Sequence, residues 1–169
     1  MFKTWRLSSI SGALLALYFI PVWTMIAFRI MVSPIHGLYD RPNISLALFA
    51  SDNMHLAGTA SVRFAWLLAL ARITVVAFFA LYLLFITRPS IRKSGGSNEA
   101  LGLALEIGAV ISFAGVLTAS LAGETTALRM HAAELLMMLG TAIVMLVEPP
   151  VQMRDDAGAP SGELSLQQT

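Results

Sequence analysis

Between Arg63 and Arg88 lie 24 residues, Phe64 to Thr87, with a single charge among them, Arg72. A helix of that length is about 36 Å long at 1.5 Å rise per residue, enough to cross a hydrocarbon core with some tilt. So long an apolar run restricts the chain more than any other feature. Composition agrees: 57% of the 169 residues are hydrophobic and 12% are charged, against about 25% charged in a soluble domain. These values describe a small polytopic membrane protein. A net charge of +1 supplies no basic field for nucleic acid. The absence of cysteine excludes structural disulfides, thiolate metal sites and thiol catalysis.

An earlier apolar run, Leu7 to Val32, follows Lys3 and Arg6. A signal peptide also begins with basic residues, but its apolar core is about 7–15 residues long and ends at a small-x-small cleavage site. Neither condition is met, so this run is read as an uncleaved first span. Pro21 removes one backbone hydrogen bond and kinks it, which membrane helices tolerate. Arg29, in the last turn, can snorkel to the interface.

Ser33 to Val62 forms the one long connection, punctuated by Pro34, Gly37, Asp40 and Pro42. Within it Asn43 can cap a short run, Ile44 to Ala50, and Ser51 or Asp52 a second. The first run is too short to span and too apolar for water. The expectation is an interfacial helix or a re-entrant segment packed on the bundle.

Span two ends in a basic turn, Arg88, Arg92 and Lys93, followed by a flexible Gly/Ser stretch. Spans three and four are expected at about 100–123 and 128–147, the last stopped by Pro149 and Pro150. Gly115, Ala119 and Gly123 recur every four residues on one face of span three, a stripe that lets another helix approach closely. Residues 1–150 thus form one transmembrane domain, and residues 151–169, polar and rich in Gly, Ser and Gln, a disordered tail.

Basic residues set the orientation. With the N-terminus inside, Lys3, Arg6, Arg88, Arg92, Lys93 and Arg154 fall on the inner side, and Arg41, Arg63 and Arg129 on the outer. Six against three favours both termini in the cytoplasm of a bacterial inner membrane.

The intramembrane charges can then be compared by depth. Arg72 is about 13 Å in from the outer side and Glu134 about 10 Å, by helical rise. Glu106 lies in the opposite half of the bilayer, so depth pairs Arg72 with Glu134 better than with Glu106, although an arginine side chain is long enough to reach toward either. Insertion itself needs no partner. The 14 Leu, Ile, Phe and Val residues of span two contribute about −4 to −8 kcal/mol, against about +3 for Arg72. The arginine should therefore face the bundle.

Two kinds of role suit these residues. A buried ion pair can fix helix register, and an ion path or an anionic-ligand site uses the same groups. His131 and Glu134 stand three apart, on one face of span four, the spacing of carboxylate-bridged metal sites. With His36 and His55 from the loop they make a candidate site for zinc, copper or iron, and His131 is a candidate haem ligand. The simpler reading is interfacial histidines bonded to loop backbone, and no cofactor is favoured. Met130, Met137, Met138 and Met145 read as packing filler. Trp5, Trp23, Trp66, Tyr18 and Tyr82 read as interface anchors. Asn43-Ile44-Ser45 is a glycosylation sequon, a triplet common by chance. No phosphate loop, nucleophile elbow, zinc-protease motif or internal repeat is present.

These readings converge on an all-α integral membrane four-helix bundle with a structured outer loop. The expected role is a non-enzymatic accessory, assembly or structural subunit, packed through the Gly115/Ala119/Gly123 face against another membrane protein or itself, in contact with lipid and not with nucleic acid. The alternative is a small transporter, channel or redox subunit using Arg72, Glu134 and Glu106.

Overall fold

The structure, a computed structural model, describes residues 7–32, 41–53, 55, 58–88 and 96–148. Among them are five helices: α1 (Leu7–Val32), α2 (Arg41–Asn53), α3 (Gly58–Thr87), α4 (Gly96–Ala122) and α5 (Thr125–Val147). Four of these, all but α2, are long and apolar enough to cross a membrane. Lys3, Arg6, Trp5, His36, Arg92, Lys93 and the tail at 151–169, each given a role above, lie outside the described residues.

The spanning helices pack as a bundle of antiparallel neighbours in the order α1, α3, α4, α5, with α1 and α5 sharing the slightest of the four interfaces. Helix α1 has the expected bounds and continues through Pro21. All three others begin earlier than expected, α5 at Thr125 in place of about 128. Helix α3 starts at Gly58, before the apolar run, and α4 takes Gly96, Ser97 and Asn98 from the stretch read as flexible. Ser97 is buried, so tertiary packing outweighs the weak helix propensity of these residues.

The run expected at Ile44 to Ala50 is part of α2, about 20 Å long by helical rise, which also takes in the expected caps Asn43, Ser51 and Asp52. It packs on α3, α4 and α5 at one end of the bundle. Ile44 and Ala47 are buried there with Ala27 and Ile30 of α1 and Ala65 and Ala69 of α3. A hydrogen bond of 2.6 Å between the hydroxyls of Ser51 and Ser61 ties α2 to α3.

At the other end, the Glu148 carboxylate, just past α5, accepts hydrogen bonds from the backbone N–H groups of Leu7 and Ser8 at 3.1 and 3.2 Å. It satisfies two of the four free donors at the start of α1, and its charge suits the positive end of that helix. The two ends of the described chain are thereby held together.

Close approach of α4 and α5 rests on two glycines. A Cβ on Gly108 would stand 2.8 Å from Met138, and one on Gly115 would stand 2.6 Å from the His131 ring. Seven residues forward on α4 thus match seven back on α5, an antiparallel heptad register. The stripe expected at Gly115, Ala119 and Gly123 is corrected by this packing. Gly115 faces α5 of the same chain and Ala119 is buried. Gly123 lies beyond the helix with φ +71°. It ends α4 in a Schellman turn, with Gly123 N–H bonded to the Ser120 carbonyl and Glu124 N–H to that of Ala119.

Trp23 and Tyr82 also depart from expectation. Both are buried in the bundle, while Trp66 and Tyr18 are exposed. Phe19 packs edge-on against Trp23 at 5.0 Å and stacks on Phe79 at 5.8 Å. Tyr82 donates to the Ser9 carbonyl at 2.9 Å. Its hydroxyl fits over Gly12, where a Cβ would approach it to 2.8 Å. Aromatic groups with a polar tip need a partner once buried, and these two find one inside.

Candidate functional site

All five helices contribute to one polar cluster beside α2. Glu134 of α5 is at its centre. Its Oε1 accepts from the Trp23 indole N–H of α1 at 3.0 Å. Its Oε2 accepts from the Ser112 hydroxyl of α4 at 3.3 Å and faces His131 Nδ1, one turn back on α5, at 3.1 Å. The other ring nitrogen of His131, Nε2, stands 3.1 Å from the Pro42 backbone carbonyl of α2. Arg72 of α3 holds its guanidinium 5.7 Å from the centre of the Trp23 ring, within range of a cation–π contact. Trp23, Arg72, Ser112, His131 and Glu134 are all at most 3% exposed.

Local sequence explains each placement. The buried positions of α5, Ala127, His131, Glu134, Met138 and Thr141, alternate by four and three, which defines its inward face. His131 and Glu134 are its polar members. On α3 the same spacing aligns Arg72 with Val75, Phe79 and Tyr82. Ser112 stands between Gly108 and Gly115 on the small-residue face of α4, so the close helix approach that brings Met138 and His131 onto the glycines also brings Glu134 onto the hydroxyl.

The proton count of the His131–Glu134 pair follows from its partners. Nε2 faces a carbonyl, which only accepts, so that bond requires a proton on Nε2. The bond between Nδ1 and Oε2 requires a second proton, carried by either atom. On nitrogen it gives an ion pair, and on oxygen a neutral pair. His131 thus fastens α2, through Pro42, to the carboxylate at the centre of the bundle.

The residues singled out in the sequence divide. Arg72, Glu134 and His131 come together, although Arg72 meets Glu134 by way of Trp23, and the close contact is His131–Glu134. Glu106 does not belong to the set. It is exposed on the outer face of α4. His55 is exposed in the turn after α2, with φ +50°, and His36 lies outside the described residues. Among the described residues no group of three His, Asp or Glu could hold a metal ion. Both nitrogens of His131 are engaged by oxygens, which leaves no lone pair directed at a metal or haem iron while α2 is docked.

Sequence reasoning missed Trp23, Ser112 and the Pro42 carbonyl. A signal for Ser112 did exist, since Ala104, Gly108, Ser112, Gly115 and Ala119 form a longer small-residue face than the stripe that was read. Nothing in the sequence marks Trp23 or Pro42.

Comparison of the chain with protein-family models, curated proteins and solved structures finds no match.

Proposed function

We propose that the chain is a non-enzymatic accessory subunit of a larger membrane complex, set in a bacterial inner membrane with both termini in the cytoplasm. One observation carries the reading: the carboxylate of Glu134 and the imidazole of His131, at the centre of the bundle, are partnered by the chain itself. Glu134 has three partners on α1, α4 and α5, and His131 is held from both sides. Such a network fixes helix register and the seat of α2, the use of buried charge best suited to a bundle with little hydrophobic drive between its helices. The six-to-three distribution of basic residues supports the orientation.

The test is native-gel sizing in mild detergent, with proton and ion flux measured on the purified chain in liposomes. An accessory subunit migrates well above the chain's own 18.2 kDa with a defined companion and carries no flux alone. A chain that migrates alone and conducts would overturn the proposal.

A second reading, a small proton-conducting subunit, is favoured by the His131–Glu134 pair, where a proton can move between Nδ1 and Oε2. In that case Glu134→Gln abolishes a flux that the wild-type chain shows in liposomes. Glu106, on the outer face of α4, is not part of such a path.

A further inference from the structure

Glu106 is in the wrong surroundings for a carboxylate. It lies about 15 Å along α4 from Gly96 by helical rise, within a helix apolar enough to cross a membrane. It is exposed, and among the described residues it makes no hydrogen bond or ion pair. Its neighbours on that face are Leu103, Val110 and Phe113, all exposed. Gly102, one turn away, has nothing within 4 Å of a Cβ built on it. The surface beside the carboxylate is therefore low enough for another backbone to approach. A short carboxylate side chain cannot snorkel as lysine or arginine does. Ionisable groups inside a membrane normally face a bundle or pair with each other, and Glu134 does both.

We propose that the outer face of α4 around Glu106 docks a transmembrane helix of another membrane protein carrying a lysine or arginine at the level of Glu106. The choice of occupant follows from charge. A second copy in the same orientation would bring Glu106 against Glu106 across a two-fold axis. Among the described residues it supplies no cation at that level: exposed Arg29, Arg63 and Arg129 lie toward the α2 end of the bundle, and Arg88 lies just past the end of α3. The proposal rests on the accessory reading and names its docking surface, in place of the stripe at Gly115.

The experiment introduces a benzophenone side chain at Phe113 of the full chain, expressed in its own host, and irradiates the membranes. The expected product is an adduct with one protein, mapped by mass spectrometry to an apolar segment containing lysine or arginine. Its yield should fall at least tenfold in Glu106→Gln, and a charge swap between Glu106 and that basic residue should restore it. Unchanged thermal unfolding of Glu106→Gln shows that folding is intact. An adduct insensitive to Glu106→Gln, an adduct with a second copy only, or no protein adduct would overturn the proposal. Native-gel size separates the two levels. If no adduct forms at Phe113 but the chain still runs in a larger complex, this docking surface is wrong and the accessory reading stands. If the chain runs alone, both fail.

Discussion

The His131 ring occupies the space that a side chain at position 115 would need: a Cβ on Gly115 would lie 2.6 Å from its Cδ2. The ring is held at both nitrogens, by Glu134 and by the Pro42 carbonyl, so it cannot swing away without breaking one of those bonds. Gly115→Ala should destabilise the protein by about 1–3 kcal/mol, as overpacking does. Gly108→Ala makes a similar approach, but to the thioether end of Met138, which is flexible and gives way at less cost. Thermal unfolding in detergent should rank Gly115→Ala below Gly108→Ala, and the reverse order would contradict this account of the α4–α5 seam.

Glu134→Leu leaves the Trp23 indole, the Ser112 hydroxyl and His131 Nδ1 without their common acceptor. Removing one partner of a buried pair costs about 3–5 kcal/mol, so the variant should unfold at a markedly lower temperature or fail to accumulate. His131→Leu with Glu134→Leu removes both members of the hydrogen-bonded pair, and its loss should be smaller than the sum of the single losses. Additive losses would show that the two residues are not coupled.

Glu148→Ala removes the carboxylate that caps α1, leaving Leu7 and Ser8 N–H unpaired. The loss should be about 1 kcal/mol, the usual value for an N-terminal cap. Hydrogen exchange should accelerate at the first turn of α1 and stay unchanged around His131. Uniform acceleration along α1 would mean that the cap governs more than the helix end.

The Ser51–Ser61 hydrogen bond gives a direct check on the seat of α2. The chain has no native cysteine, so Ser51→Cys with Ser61→Cys introduces the sole thiol pair. Hydroxyls 2.6 Å apart bring the two Cβ atoms near the spacing that a disulfide requires. Mild oxidation in the membrane should join them within one chain, seen as a mass loss of two hydrogens and as one linked peptide after digestion. Failure to form the bond would argue against a docked α2.

What the sequence determined by itself is the set of membrane elements. Their length and hydropathy announce four spans, and Leu7–Val32 has the observed bounds because apolar length alone defines it. The inward setting of Arg72 was also legible, because an arginine in a membrane helix has few other places to go. So was the meeting of His131 and Glu134, which one turn of helix enforces. Which face of each span meets protein and which meets lipid was decided only by the tertiary structure. Lipid chains are as apolar as leucine, so a membrane helix can be apolar all round and its periodicity does not mark the buried side. That is why Trp23 and Tyr82, read as interface anchors, are core residues, and why Ser112 entered the site unseen. Gly123 looked like the third member of a helical stripe, but its positive φ ends the helix. Glu106 and Glu134 look alike as carboxylates within apolar spans. One lies at the centre of a cluster built by five helices and the other faces outward, because the register of α4 on α5 turns Ser112 and Gly115 inward and leaves Glu106 on the opposite side.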